Sequence, residues 1–305
     1  MNARLPSFAG AAERRPVGDP PAGAVPRRGP ERRWRTAALV LPALGFLAVF
    51  FVYPMAGILV RSFTGSQGFT LGNYVSAIRD PAYPRIFGLT FQIAFTVTVA
   101  TLVLAYPLAY KLSTVSGPVA AVLMALLLVP FFTDLLVRMF SWMVILGRDG
   151  LVNLVLSNLG AGPVRLLYGR AGVLIGMTYA LLPYMTLTLY SVMRGIDRSL
   201  LQAANNLGAS EWQAFRRVFL PLSLPGVFGG SLLVFVLALG YFVTPRLMGG
   251  PHDQMIAMVI ENQVEMSLDV NFASSLAVLL LVLAIGGFVV YDRIVGLRSL
   301  FESKV

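Results

Sequence analysis

Residues 197–226 read DRSLLQAANNLGASEWQAFRRVFLPLSLPG and form the longest polar interruption between apolar segments in the C-terminal half of the chain. Ser199 and Gln202 have the spacing of a helix-capping pair, in which each side chain accepts a hydrogen bond from a free backbone N–H group. The leucine and alanine residues that follow form a short apolar face. Gly208 can adopt the left-handed conformation that ends many helices. The first half of the stretch is therefore predicted to be a short capped helix that ends in a glycine turn.

The second half of the stretch predicts another helix. Ser210 and Gln213 repeat the capping spacing, and the helix that they begin is predicted to continue through Arg217. Pro221 and Pro225 are predicted to stop this helix, because proline lacks a backbone N–H and its ring clashes with the preceding turn. Taken alone, this pattern also fits an ordinary polar loop between two membrane spans.

The composition indicates an integral membrane protein. The chain has 305 residues, of which 57% are hydrophobic and 12% are charged, and its mean hydropathy is +0.75. Soluble domains usually contain about 25% charged residues, so this chain cannot cover itself with a polar surface. Its long apolar runs favour membrane helices over the alternating strands of a β-barrel. The predicted fold class is therefore an all-α integral membrane protein.

The charge and motif content exclude several other classes. The net charge of +10 includes eight basic residues in the N-terminal tail, and membrane topology explains this excess better than nucleic-acid binding does. The chain has no cysteine and a single histidine, His252, so no cysteine-based metal site is expected. It lacks the GxxxxGKS/T and HExxH motifs, so no cofactor or metal is expected to be bound by the chain itself.

The hydropathy pattern predicts three regions. Residues 1–36 are rich in Pro, Gly, Ala and Arg, which predicts a disordered basic cytoplasmic tail. Residues 37–297 are predicted to be a six-helix transmembrane domain, and residues 298–305 a short cytoplasmic tail. Each predicted span is long enough to cross a bilayer core of about 30 Å. The six predicted spans are Ala37–Val60, Ile86–Leu112, Pro118–Leu136, Ala171–Met193, Gly226–Met248 and Phe272–Val295.

Basic residues indicate the orientation of these spans. With six spans, 16 of the 24 Lys and Arg residues lie on the side of the two termini. The positive-inside bias then places both termini and the 197–226 stretch in the cytoplasm.

An amphiphilic region, Pro130–Gly162, is predicted to contain an interfacial helix instead of another span. Asp149 is predicted to cap a short helix that ends near Leu159. Asp134 and Arg138 are four residues apart and could pair on one helix face. Asp134 has a second interpretation, because a carboxylate at membrane depth could attract a cationic amine on a translocation path.

The 197–226 stretch resembles the EAA loop of the membrane subunits of bacterial ABC importers. The matching residues are Gln202-Ala203-Ala204, Gly208, Val218 and Leu220-Pro221, with glutamine in place of the usual glutamate. Two further segments, Pro130–Asn153 and Leu239–Pro251, look like the corresponding regions of spermidine/putrescine-type permeases. The resemblance covers most of residues 37–297 and implies the fold of a type I ABC importer permease.

The resemblance also implies partners and functional residues. An ATP-binding cassette subunit in two copies would use the ATP, and a second related permease and a periplasmic solute-binding protein would complete the assembly in the bacterial inner membrane. The chain itself would be no enzyme. The residues expected to couple it to the ATPase subunit are Gln202, Ala203, Ala204, Gly208, Ala209, Ser210, Phe215, Leu220 and Pro221.

The translocation path has five candidate residues, which are Asp134, Trp142, Tyr179, Tyr184 and Tyr241. Tyr241 stands where many polyamine-type permeases carry an aspartate, so an acidic group is missing there. The aromatic side chains could stack on a solute or anchor the helices at the membrane interface. The solute is expected to be a polyamine, such as spermidine or putrescine, or a related small organic molecule.

An ion-coupled secondary transporter is the alternative function. Such proteins often have internal repeats and coupling carboxylates at the membrane midplane. Residues 37–150 and 170–297 show no convincing repeat, and Asp134 has no second carboxylate near it in the predicted spans. The importer subunit is therefore the favoured prediction.

Overall fold

The computed structural model describes residues 40–65 and 68–295. The predicted tails at residues 1–36 and 298–305 lie outside the described residues. The chain divides into two units, Met1–Met55 and Ala56–Val305. The described part of the first unit is helical, and the packing and the sites below all belong to the second unit.

The described residues form mainly helices. In chain order the elements are α1 (Val40–Ser62), β1 (Thr64–Gly65), β2 (Gly68–Phe69), α2 (Gly72–Arg79), α3 (Ala82–Thr114), α4 (Pro118–Phe132), α5 (Leu135–Leu146), α6 (Leu151–Asn158), α7 (Arg170–Arg194), α8 (Ser199–Asn206), α9 (Glu211–Leu239), α10 (Val243–Met248), α11 (Ile256–Glu265) and α12 (Val270–Val295). Strands β1 and β2 form an antiparallel ribbon that pairs Gly65 with Gly68.

Six segments of the described chain are long and apolar enough to cross a membrane, which confirms the predicted number. They are α1, α3, the α5–α6 segment Leu135–Asn158, α7, α9 and α12.

The predicted third span, Pro118–Leu136, was wrong. Helix α4 ends at Phe132, and Thr133 is extended with φ −95° and ψ 133°. The break arises because the Asp134 carboxylate caps a new helix, accepting hydrogen bonds from the backbone N–H groups of Leu136 and Val137. By length and composition the α5–α6 segment that follows is a candidate span, although it is broken between Leu146 and Leu151, and the interfacial helix stays a prediction.

Two other predictions of local structure need correction, and one further helix is found. Gly150, and not Asp149, is the N-cap of α6, and no side chain caps that helix. Helix α9 ends at Leu239, well before the predicted end of the fifth span at Met248. The polar region from Gly249 to Asp269 contains helix α11.

Helices α3, α7 and α9 pack against one another and enclose the main apolar core. Met177, Leu181 and Met185 of α7 are fully buried in it. Gly230 of α9 permits close approach, because a Cβ atom at this position would lie 2.8 Å from the Met185 sulfur. Small residues at such contacts are typical of packed membrane helices. Both candidate sites are built around these three helices.

Candidate coupling element and translocation cavity

The coupling element, residues 197–226, begins with helix α8. The Asp197 carboxylate accepts a hydrogen bond of 2.9 Å from the Ser199 N–H, and hydrogen bonds from Ser199 lower the pKa of this exposed carboxyl. The predicted Ser199–Gln202 cap is therefore wrong. The N-cap residue is Arg198, whose side chain makes no capping bond, and the free N–H of Ser199 is satisfied by the Asp197 carboxylate instead.

The turn after α8 has the predicted form. Gly208 has a φ of +90°, and its N–H donates to the Asn205 carbonyl at 2.9 Å. The Ala209 N–H donates to the Ala204 carbonyl at 3.1 Å. These two bonds satisfy carbonyl groups at the end of α8, and only glycine adopts such a φ without strain.

Helix α9 starts with the predicted capping box. The Gln213 N–H donates to the Ser210 hydroxyl at 3.3 Å, and the Ser210 N–H donates to the Gln213 side-chain oxygen at 3.0 Å. The sequence identified this cap correctly because both partners lie within one turn.

The predicted proline stop was wrong, because α9 continues without interruption from Glu211 to Leu239. Residues Phe215–Phe219 form a π-helical turn, in which the Leu220 N–H donates to the Phe215 carbonyl. Pro221 follows directly, and Pro225 lies inside the helix. Proline donates no backbone hydrogen bond and needs room beside the preceding turn, and a widened turn supplies that room. The coupling element is thus continuous with a membrane helix.

An aromatic ladder joins the start of α9 to α3. Phe215 stacks on Trp212 at a centroid distance of 5.6 Å and on Phe219 at 5.9 Å. The Tyr110 ring of α3 meets Phe215 edge-on at 5.5 Å and Phe219 at 5.0 Å. Below the ladder, the hydroxyl groups of Tyr106 and Ser223 are 2.9 Å apart.

Arg198 makes a second connection to α3. Its Nη1 donates to the Thr114 carbonyl at 3.3 Å, and its Nη2 donates to the Ser113 carbonyl. These carbonyls lie in the last turn of α3, where a cation is favourable and the backbone has unsatisfied acceptors. Sequence reasoning missed this contact because the partners are distant in the sequence.

The coupling element also presents apolar side chains to its surroundings. Leu207 is 90% exposed and Trp212 is 65% exposed. Most of the predicted coupling residues are exposed as well, whereas Ala204, Ala209, Phe215 and Leu220 are half-buried. Gln202 lines a cavity of about 250 Å³ beside Arg198 and Phe219. An apolar, exposed helix end of this kind suits a helix-in-groove contact.

The candidate path residues separate into two groups. Tyr184 of α7 and Tyr241, which follows α9, line one cavity of about 280 Å³. Its other walls include Phe131 and Arg138, and Phe131 meets Tyr184 edge-on at 5.1 Å. The structure therefore brings two of the five candidates together in one place.

The remaining three candidates lie elsewhere. Asp134 caps α5, and the predicted pair of Asp134 with Arg138 is not formed. Arg138 instead donates from Nη2 to the Thr133 carbonyl at 2.8 Å. Trp142 packs edge-on against Tyr179 at 5.2 Å, which ties α5 to α7. Arg138 and Phe131 are cavity residues that the sequence did not identify as such.

The family of the chain follows from comparison with known proteins. A family model described as "Binding-protein-dependent transport system inner membrane component" matches residues 104–297. This range includes α7, the whole coupling element and the cavity. The chain belongs to this family. It is a multi-pass bacterial inner-membrane protein and the permease subunit of a binding-protein-dependent ABC importer, and the secondary-transporter alternative has no support.

Two relatives have the same sequence identity to the permease and match most of its length and of their own. It is 34% identical over 234 residues to the spermidine/putrescine transport system permease protein PotB of Escherichia coli (strain K12), covering 74% of this chain and 85% of that protein. It is also 34% identical over 264 residues to PotB of Haemophilus influenzae, covering 85% and 90%.

Solved structures have the same fold. A bacterial ABC transporter involved in the import of the acidic polysaccharide alginate has a chain that matches with a TM-score of 0.68 at 18% identity, covering 87% of the permease and 96% of that chain. A second structure, of bacterial alginate ABC transporter in complex with alginate pentasaccharide-bound periplasmic protein, matches with a TM-score of 0.71 at 18% identity, covering 86% and 94%.

Proposed function

We propose that the permease forms half of the translocation pathway for a small organic solute, and that residues 197–226 couple this pathway to ATP hydrolysis on a separate subunit. The observation that carries the proposal is the continuity of the coupling element with the membrane domain. Its exposed end carries Leu207 and Trp212. The π turn packs against α3 through its Phe215 ring, and Arg198 donates a hydrogen bond to the end of α3. Movement imposed on the exposed end is therefore transmitted to two membrane helices, α3 and α9.

The proposed assembly contains two ATP-binding cassette subunits, a second related permease and a periplasmic solute-binding protein. Both termini and the coupling element face the cytoplasm, which agrees with the positive-inside bias. ATP is bound and hydrolysed on the partner subunit, so this chain binds no cofactor and performs no chemistry. The PotB relatives support a polyamine such as spermidine or putrescine, or a related solute.

Copurification and uptake test this function. We expect the permease, expressed with its companion subunits, to purify as a complex with the ATPase subunit. In proteoliposomes the complex should take up solute only when ATP and the binding protein are supplied. Uptake by the isolated chain, driven by an ion gradient in the absence of ATP, would contradict the proposal.

A further inference from the structure

A basic groove lies between the end of α5 and the loop that precedes α7. Arg148, Arg165 and Tyr168 line it, and its volume is about 430 Å³. All three residues are exposed, and neither arginine forms an ion pair within residues 40–65 and 68–295. The neighbouring carboxylate, Asp149, is exposed but is not part of the groove lining. The two guanidinium groups are therefore accessible to an acidic partner.

A buried asparagine holds the two arginines in a fixed relation. Asn153 of α6 is 2% exposed, and its Nδ2 donates to the Gly147 carbonyl at 2.9 Å and to the Val164 carbonyl at 3.1 Å. Its side-chain oxygen accepts from the Val164 N–H at 2.9 Å. Gly147 directly precedes Arg148, and Val164 directly precedes Arg165. The groove is therefore preorganised, which lowers the entropic cost of binding a partner.

The backbone at Tyr168 is fixed as well. Tyr168 has a φ of +58°, a conformation that a non-glycine residue keeps only where the surrounding structure imposes it. A Cβ atom at Gly250 would lie 2.7 Å from the Tyr168 carbonyl oxygen, and the Gly169 N–H donates to the Met248 carbonyl at 3.3 Å. The Tyr168 side chain is nevertheless 64% exposed. Tyrosine and arginine are the residue types that often dominate protein–protein contacts.

The groove and the coupling element lie at opposite ends of α7. This helix begins at Arg170, directly after the groove loop, and ends at Arg194, shortly before the coupling element. Its 25 residues span roughly 37 Å at 1.5 Å per residue. In the proposed orientation the groove therefore faces the periplasm. The family is described as binding-protein-dependent, and a periplasmic binding protein approaches from this side.

We propose that this groove is a docking site for the periplasmic solute-binding protein, and that surface carboxylates of that protein contact Arg148 and Arg165. The inference rests on the proposed function and adds the contact surface of one partner. A guanidinium group binds a carboxylate through two parallel hydrogen bonds. It repels the ammonium groups of a polyamine, so the groove suits an acidic protein surface and not a cationic solute.

Charge reversal tests the proposal on the complete complex, with its partner permease and ATPase subunits, in nanodiscs. The ATPase rate is measured at increasing concentrations of the binding protein of the same importer. The Arg148→Glu, Arg165→Glu double variant should raise the half-saturating concentration at least about tenfold, because repulsion replaces two charge-assisted contacts. The rate without binding protein should not change. The double change to glutamine should act in the same direction with a smaller effect.

The matched control is Arg85→Glu, at an exposed arginine in the first turn of α3. This end of α3 is the one away from Arg198 and the coupling element, so Arg85 lies on the same side of the membrane as the groove. The control should leave the half-saturating concentration unchanged. An equal effect of Arg85→Glu, or no effect of the double reversal, would overturn the proposal.

Anionic lipid headgroups are the other possible source of negative charge. The titration is therefore repeated in nanodiscs of phosphatidylcholine alone and in nanodiscs that also contain phosphatidylglycerol. We expect the same effect of the double reversal in both. An effect confined to the anionic nanodiscs would overturn the proposal, because lipid headgroups would then occupy the groove.

Zero-length crosslinking tests the contact itself. The native lysines are Lys111 and Lys304, and Lys111 lies in the last turn of α3, on the side of the coupling element. A carbodiimide joins a lysine amine to a carboxylate only when the two groups touch. Arg148→Lys or Arg165→Lys should therefore crosslink the permease to the binding protein, whereas Arg85→Lys should not. Absence of a crosslink from both groove positions would overturn the proposal.

The wild-type titration distinguishes this inference from the proposed function. Stimulation of the wild-type ATPase by the binding protein, together with unchanged half-saturation in the double reversal, would defeat only the docking groove. Absence of stimulation in the wild-type complex would count against the importer function itself.

Discussion

Gly208 fixes the angle between α8 and α9 through its backbone conformation alone. Its φ is +90°, and no neighbouring atom lies within 4 Å of the place that a Cβ atom would occupy, so added bulk meets no clash. The cost of a substitution lies in the left-handed backbone, about 1–2 kcal/mol for an L-residue. Asparagine tolerates this conformation better than a β-branched residue does.

We therefore expect Gly208→Val to lower ATP-driven uptake about tenfold, in proportion to the loss of the correct turn. The amount of the Gly208→Val variant in the membrane should stay at the wild-type level. Gly208→Asn is the matched control and should retain most of the uptake. Both are measured in proteoliposomes, and full uptake by Gly208→Val would remove the coupling role of the turn.

Arg198 permits a second test at the residue scale, because it bonds two carbonyl groups at the end of α3. Arg198→Gln should reduce the solute transported per ATP about two- to fivefold, as expected for roughly 0.5–1 kcal/mol of hydrogen bonding. Arg194→Gln is the control, because Arg194 is also exposed and its hydrogen bond within the described part of the chain goes to Tyr190 of its own helix at 2.8 Å. Equal effects of the two changes would show that the link to α3 is unimportant.

At the scale of elements, the start of α9 combines an anchored residue with an exposed one. Phe215 is half-buried between Trp212, Phe219 and Tyr110, whereas Trp212 is 65% exposed. Removing the Phe215 ring leaves a void in the ladder, and Phe-to-Ala changes in cores cost about 3–5 kcal/mol. Because Phe215 is partly exposed, the loss of stability in Phe215→Ala should lie at the lower end of that range.

The two aromatic residues should therefore respond differently. Phe215→Ala should lower the midpoint of thermal unfolding of the purified permease strongly, and Trp212→Ala should lower it less, because Trp212 is 65% exposed and, among the described residues, stacks on Phe215 alone. Trp212→Ala should also weaken binding of the ATPase subunit, because its ring lies on the exposed face. Thermal unfolding and subunit binding are measured on the same samples, and a stability loss in Trp212→Ala alone would contradict this assignment.

The elements also indicate how far sequence reasoning extends. The Ser210–Gln213 capping box and the Gly208 turn were predicted correctly because each is a local pattern of a few residues. The helix ends that were expected at prolines and within apolar runs were predicted incorrectly. A π turn accommodates Pro221 inside α9, and one carboxylate, Asp134, breaks an apolar run after Phe132. Both outcomes depend on local hydrogen bonding, which a hydropathy profile does not describe.

The candidate sites depend even more on tertiary structure. The sequence identified Tyr184 and Tyr241 as path candidates, but only packing of α7 against α9 shows that they share a cavity with Arg138. Similarly, the spacing of Trp212, Phe215 and Phe219 is visible in the sequence, but the contact of Tyr110 with Phe215 and Phe219 is not. Long-range partners of this kind have no local signal.

At the scale of the whole molecule, the permease contains a continuous route from an exposed contact surface to the cavity that Tyr184 and Tyr241 line. The exposed Leu207–Trp212 surface leads through the π turn and the aromatic ladder to α3 and α9, and α9 ends beside the cavity at Tyr241. Helix α7 packs against both. The central claim is that the ATPase subunit covers this exposed surface.

Single-cysteine labelling tests the claim directly, because the chain has no native cysteine. Leu207→Cys places a thiol on the contact surface, and Met266→Cys places one at another position that is 76% exposed. Maleimide labelling is followed in the complex with and without the ATPase subunit. We predict that the ATPase subunit protects Leu207→Cys and leaves Met266→Cys reactive. If Leu207→Cys is labelled equally in both samples, the coupling surface has been placed wrongly.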